Sequence, residues 1–290
     1  MTNAQDASPQ RTALVLSGGG SLGAIQVGML AELAAAGVRP DFVVGVSAGA
    51  INGAFFAHAP DGTMVEKLTE LWCQVTTREA LGLSWRSLLG LLGLSDHLAN
   101  PSGVRALLER NLPYRRFEET AVPLHIVCAD LVTGAEVVLS RGDVIEAVLA
   151  SAAIPGVFPP VKVEGRTLVD GVVAAGTPIA TAGRLGASRL IVLPCGFACA
   201  DKTVSGRALG RAMHAIALIG ARQLKQDYER YAGSLAIHVV PPLCPLEQSS
   251  YDYSKGATLI ARARESTRRW LEEGGLSRRE FPGELIEHTH

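Results

Sequence analysis

The order of apolar and polar positions predicts the first elements of the chain. Residues 12 to 17, TALVLS, are an unbroken apolar run of the kind that forms a buried strand. After Gly18, Gly19, Gly20 and Gly23 comes GAIQVGMLAELAAAG, which reads as a helix, with Gly37 suited to its C-cap and Pro40 just beyond. DFVVGVS is a second apolar strand that turns sharply through AGA into the small-residue helix INGAFFAHA. Strand, helix, strand, helix with such strands implies a parallel sheet covered on both faces. The expected fold is α/β, a three-layer domain with a largely parallel central sheet.

Further along, residues 64 to 112 carry an irregular helical pattern, in which ALGLSWRSLLGLLGLSDHL stands out as a core helix pair or an apolar lid over residues 81 to 94. PLHIVCADLVTGAEVVLS predicts two strands joined at Thr133-Gly134, and GDVIEAVLASAA a short helix capped by Asp143 and stopped by Pro155. PVKVEGRTLVDG predicts a hairpin turning at Glu164-Gly165. RLIVLPC and LAIHVVPP read as two more buried strands, flanked by long helices over about 205 to 230 and 256 to 273. The expectation is one domain over residues 12–275 with flexible tails at 1–11 and 276–290.

Composition narrows the function. The 290 residues are 48% hydrophobic, enough for a large single core. With 27 basic against 28 acidic residues and no long basic run, electrostatic capture of nucleic acid is not expected. The scattered, odd set of five cysteines (Cys73, Cys128, Cys195, Cys199, Cys244) fits a reducing compartment. The polar start lacks the order of a secretory signal, so the expected location is the cytoplasm. Apolar runs are broken before the ~18 residues a spanning helix needs, which leaves peripheral contact with the inner face of the membrane open.

Two glycine motifs carry the chemistry. Gly18-x-Gly20-x-x-Gly23, between a strand and a helix, fits both a dinucleotide fingerprint and a set of backbone amides facing an oxyanion. Gly45-x-Ser47-x-Gly49, at the next strand-to-helix turn, is a nucleophile-elbow pattern, in which the flanking positions must lack side chains. Both motifs follow parallel strands about 4.8 Å apart, so the amides of Gly18, Gly19 and Gly20 can reach an acyl oxygen bonded near Ser47. A nucleotide site would need an acid at the carboxyl end of the second strand. Asp41, at the other end of FVVGVS, is the only acid nearby.

SGGGSLG (17–23), GVSAG (45–49), ASAAIPGVFPPV (150–161) and LVDG (168–171) occur in this order and at similar spacing in the patatin-like phospholipases. Over about residues 12 to 200 the chain resembles the bacterial type of that family of serine acyl hydrolases. The resemblance implies a patatin-like fold, Ser47 as nucleophile, and Asp170 of an Asp-Gly pair as base in place of a histidine. It also implies Gly18, Gly19 and Gly20 as oxyanion donors, with Gly23, Gly45, Gly49 and Gly171 as motif support. The implied substrate is a lipid or other acyl ester, cleaved through an acyl-enzyme without cofactor or metal. Partial burial after the strand TLV would raise the pKa of Asp170 and make its carboxylate a stronger base. Leu22 stands where many relatives carry a cation that could meet an anionic head group, and Val172 follows the Asp-Gly pair where they have Gly or Ala.

Other residues compete for roles. His58, His97, His125, His214 and His238 invite a Ser-His-Asp esterase for small soluble esters, with His214 or His238 in the chain order of that class. A non-catalytic lipid-binding or regulatory module on the same fold is the remaining alternative. Cys195 and Cys199 lack a second pair or clustered histidines, so no zinc site is expected. Asp130 reads as a turn acid, and Arg262, Arg264, Arg268 and Arg269 as a solvated helix face.

Overall fold

A computed structural model describes residues 10–80, 99–195, 208–246 and 248–286, without the side chains of 208–210, 212 and 213. The apolar segment 81–94, His97 and Cys199 lie outside the described residues.

The strands are β1 (Thr12–Leu16), β2 (Phe42–Val46), β3 (Leu124–Asp130), β4 (Glu136–Leu139), β5 (Val161–Val163), β6 (Arg166–Asp170), β7 (Arg189–Leu193) and β8 (Ala236–Val239). Among the described residues they form one sheet with the path β5-β6-β3-β2-β1-β7-β8 and β4 added on β3. Strands β3, β2, β1, β7 and β8 run parallel, whereas β4, β5 and β6 are antiparallel to their neighbours. The helices are α1 (Gly23–Ala35), α2 (Ala48–His58), α3 (Thr63–Gln74), α4 (Thr77–Ala80), α5 (Ser102–Asn111), α6 (Val144–Ser151), α7 (Val172–Ala175), α8 (Ile179–Arg184), α9 (Ala208–Tyr231) and α10 (Gly256–Glu272).

Strand periodicity explains the layers. Leu14 and Leu16 of β1 pack on one face with α1, α2, α3 and α10, while Ala13 and Val15 pack on the other with α8 and α9. Both faces are covered, and β1 and β2 are correspondingly buried at every position, apolar but for Thr12. Asp143 caps α6 by accepting the Glu146 N–H at 3.0 Å. The hairpin turns at Glu164 and Gly165, both with positive φ (48° and 78°), the pair of left-handed residues a type I′ turn requires. Gly37, at φ 74°, ends α1 as its position predicts.

The tails differ from expectation. Residues 278–286 are not a frayed end: Phe281 and Leu285 pack into the core on the α8 and α9 side. The Arg278 carbonyl accepts His238 Nδ1 at 2.8 Å, and the Arg279 carbonyl accepts the Tyr228 hydroxyl. At the other end, Arg11 is anchored through its N–H to Ser188 Oγ at 3.0 Å. Residues 1–9 and 287–290 lie outside the described residues.

The register of β3 places the site. Val127 pairs with Val46 of β2 and with Val138 of β4, so these two strands occupy opposite edges of β3. Ala129 pairs with Glu136 of β4 and Val169 of β6, which puts β6 on the same edge as β2. Strand β3 therefore overshoots β2, and β6 arrives head-on along the vacated edge with Asp170 opposite Cys128, one residue past the end of β2. The next residue of β2's chain is Ser47.

Candidate active site

Ser47 has φ 54° and ψ −120°, a conformation that L-residues rarely adopt and that costs roughly 1–3 kcal/mol. Close packing enforces it. A Cβ at Gly45 would stand 2.4 Å from the Gly49 carbonyl oxygen, and one at Gly49 would stand 2.4 Å from the Leu16 carbonyl oxygen and 2.6 Å from that of Ser17. The Ser47 N–H is held by Ser151 Oγ at 2.9 Å, and the Ser151 hydroxyl donates to the Val127 carbonyl at 2.6 Å. Because the obstructing atoms are backbone, Gly49→Ala is expected to destabilise the fold by at least ~1–3 kcal/mol, as other overpacking substitutions do. Chemical denaturation would read the loss, and an unchanged midpoint would show that the turn can relax.

Ser47 Oγ donates to Asp170 Oδ2 at 2.7 Å, and Asp170 Oδ1 accepts the Val172 N–H at 2.9 Å. Asp170 is completely buried and Ser47 is 6% exposed. Burial, the largest influence, pushes the Asp170 carboxyl from 3.8 up to about 7, against the lowering effects of the Val172 N–H and the Ser47 hydroxyl. Gly171 is confined as tightly as the elbow glycines: a Cβ there would meet the Val127 carbonyl oxygen at 2.2 Å.

The glycine loop crosses over this pair. A Cβ on Gly18 would lie 3.2 Å from Ser47 Cβ and 3.9 Å from Val172 Cβ, and one on Gly19 would collide with Cys195 Cβ at 2.2 Å. Gly18, expected as an oxyanion donor, already gives its N–H to the Gly176 carbonyl at 3.0 Å. The N–H groups of Gly19 and Gly20 carry no hydrogen bond among the described residues. Leu22 is buried in the core, so position 22 packs inward rather than facing a ligand. Gly23 is pressed against the Trp72 ring and Ala48, which a Cβ would approach within 2.7 and 2.9 Å.

A chain of buried amides fixes both ends of the loop, and the sequence reading missed it. Gln26 Nε2 donates to the carbonyls of Ser17 and Leu193 at 3.0 and 2.8 Å. Asn52 Nδ2 donates to the Gly23 carbonyl and to Gln26 Oε1, both at 2.9 Å, while Trp72 Nε1 donates to Asn52 Oδ1 at 2.8 Å. The available signal was Gln26 and Asn52, each an amide set among apolar and small residues of its helix, since fully buried amides require partners.

Most of the competing candidates are engaged with other partners. His238 faces the Arg278 carbonyl, His125 Nδ1 pairs with Ser140 Oγ at 2.6 Å, and His58 stacks on Tyr114 at 4.9 Å. His214 lies on α9. Asp130 Oδ1 accepts the N–H groups of Val132 and Thr133 at 3.0 and 2.9 Å, the turn role predicted for it. Asp41 Oδ2 accepts the Thr12 N–H at 2.6 Å, at the strand edge opposite the loop. Arg264 and Arg268 both bind the buried Glu32, so that face is partly an anchor to α1. Cys195 is buried under the loop, with its thiol pushed up to about 12 by burial. Among the described residues, no cluster of three or more His, Cys, Asp or Glu side chains could hold a metal.

A largely parallel sheet covered by helices on both faces, with a serine held on a strained strand-to-helix turn, makes this an α/β protein. The chain belongs to the patatin-like phospholipase family, whose family model matches residues 14–182. It is 28% identical over 186 residues to mouse patatin-like phospholipase domain-containing protein 7, covering 63% of this chain and 13% of that protein. An NTE family protein of Mycobacterium bovis is 35% identical over 161 residues, which is 54% of this chain and 26% of that one. The match thus spans a minor part of these relatives' length. Human GIVD cytosolic phospholipase A2, in complex with a methyl gamma-linolenyl fluorophosphonate inhibitor, shares the fold at a TM-score of 0.51 and 11% identity, covering 96% of this chain and 60% of that one. Among the described residues no helix is long and apolar enough to cross a membrane.

Proposed function

We propose that the chain is a serine acyl hydrolase that cleaves carboxylic ester bonds of lipids, with Ser47 as nucleophile and Asp170 as general base. The reading rests above all on the 2.7 Å hydrogen bond from Ser47 Oγ to a fully buried carboxylate. A base with a pKa near 7 is matched to proton transfer at neutral pH.

In the first stage Asp170 Oδ2 takes the Ser47 proton as Oγ bonds to the ester carbonyl carbon. The displaced electron pair moves to the carbonyl oxygen, where the N–H groups of Gly19 and Gly20 receive the charge. Gly18 supports the loop through Gly176 instead. Collapse reforms the carbonyl and breaks the ester C–O bond, and Asp170 returns the proton to the leaving alcohol or lysolipid. Water then attacks the acyl-enzyme, giving one proton to Asp170, and the acid leaves as Ser47 recovers its hydrogen. Helix α2 begins at Ala48, directly after Ser47, so its positive end adds to the stabilisation of that charge.

A lipid substrate fits the family and the exposed apolar side chains at this end of the sheet: Val173 just past the base, and Leu131 and Val132 beyond β3. Peripheral contact with a lipid surface on the cytoplasmic side belongs to the same reading. It is tested with the intact protein on a panel from short nitrophenyl esters to phospholipid vesicles, alongside a lipid fluorophosphonate mapped by mass spectrometry. Hydrolysis with the adduct on Ser47 is expected. Vesicle binding without hydrolysis or adduct would overturn the proposal in favour of a lipid-binding module.

A further inference from the structure

Helix α9, beyond the family-matched 14–182, runs past the end of the sheet that carries Ser47. Its last turn leads down to β8, whose Ala236 pairs with Arg189 at the start of β7, the end away from the active site. Higher up, Gln223 Oε1 accepts the Gly176 N–H at 3.2 Å and Gln223 Nε2 donates to the Ala174 carbonyl at 3.1 Å. A Cβ on Gly176 would lie 3.4 Å from Gly220 Cα. Because the Gly176 carbonyl in turn holds the Gly18 amide, residues 220–223 are level with the glycine loop. The stretch before Gly220 rises ~1.5 Å per residue and projects beyond that level.

An exposed helix face is normally polar. The outward stripe of α9 obeys this only in its lower half, where Arg222, Lys225 and Glu229 are exposed. One turn nearer the active-site end it changes to Leu218 and Ile219, 44% and 66% exposed. Val173, on the neighbouring α7 just past the base, is exposed as well.

The charge pattern fits one kind of cover for this face. The whole chain balances 27 basic residues against 28 acidic ones, yet from Lys202 through Gln226 it has five Lys or Arg and no Asp or Glu. Arg211 and Arg222, both exposed, bracket the apolar stretch along the same stripe of the helix. Apolar side chains within a cationic, acid-free segment complement a surface with hydrocarbon below and negative charge at its rim, which is an anionic bilayer. A second copy of the chain would bring the same positive charges to the contact and be repelled.

We propose that the N-terminal half of α9 docks on an anionic lipid bilayer, with Leu218 and Ile219 entering the acyl boundary and Arg211 and Arg222 meeting lipid phosphates. The proposal deepens the lipid-hydrolase reading and rests on it for the choice of a lipid partner. Docking there brings the end of the sheet that carries Ser47 against its substrate.

The experiment compares the wild type with Leu218→Gln/Ile219→Gln and with Arg211→Gln/Arg222→Gln. Co-sedimentation is measured with vesicles of phosphatidylcholine alone or mixed equally with phosphatidylglycerol. The wild type is expected to bind the mixed vesicles, more weakly as salt is added, and both variants to bind them at least ~10-fold more weakly. Hydrolysis of vesicle lipid should fall in parallel, while turnover of a short nitrophenyl ester, labelling of Ser47 in solution and the melting temperature stay at wild-type values. Wild-type binding by the Leu218→Gln/Ile219→Gln variant, binding indifferent to phosphatidylglycerol, or no vesicle binding by the wild type would each overturn the proposal. So would a wild-type dimer that the same variant dissociates, since the face would then belong to a second copy. Docking as described in a protein without Ser47-dependent hydrolysis would overturn the hydrolase reading alone and leave a lipid-binding module.

Discussion

Ser47→Ala is expected to lose ester turnover by ~10⁴-fold or more and to lose all labelling by a fluorophosphonate, in a protein that remains folded. The magnitude follows from losing the covalent route: removing the serine of a nucleophile–base unit costs about as much as removing the whole unit. The same non-additivity sets the double variant, since Ser47→Ala combined with Asp170→Asn should be no slower than Ser47→Ala alone. Retained labelling in Ser47→Ala would move the nucleophile elsewhere. Alanine keeps the backbone contacts of the turn, so circular dichroism should be unchanged.

Asp170→Asn is expected to lower kcat/KM by ~10³-fold or more at pH 8, while His214→Ala and His238→Ala keep wild-type rates. Activity of the wild type should rise with pH through about 7, because only the ionised carboxylate accepts the Ser47 proton. Stability moves the other way. Between 3.8 and about 7 the folded protein retains a proton on Asp170 that the unfolded chain releases, so folding weakens as pH rises through this window. Asparagine does not titrate. Asp170→Asn should therefore match the wild type near pH 4 and exceed it above pH 7 by an amount on the order of a few kcal/mol. Urea midpoints across this range measure the difference; a variant less stable than the wild type at pH 8 would mean that the buried carboxylate is compensated by other groups.

Local patterns made much of this molecule legible. Unbroken apolar strands, Gly37, Asp143 and the Glu164-Gly165 turn each act within a few residues, and each element forms where its sequence predicts. The elbow was equally readable, because steric exclusion at Gly45 and Gly49 leaves a short spacing as its trace. What the pattern could not convey depends on partners far along the chain. The Gly18 amide is taken by Gly176, and Ser151 reaches back to Ser47; no local rule forecasts either bond. The end of the chain misled for a related reason: RREFPGELIEHTH has only a few apolar residues among charges, yet Phe281 and Leu285 suffice to anchor it once a groove beside α9 exists. Asp170 itself was legible only through its resemblance, since an Asp-Gly pair after a strand is usually just a turn.

The head-on meeting of β2 and β6 has a consequence for biosynthesis. Its two polar partners are 123 residues apart in the chain, and it is pairing along the same edge of β3 that brings them together. A chain emerging from the ribosome therefore displays the serine long before the aspartate exists. On the hydrolase reading proposed above, Ser47 gains its base only once residue 170 has been made and β6 has paired with β3, so labelling at Ser47 would count chains folded at least that far.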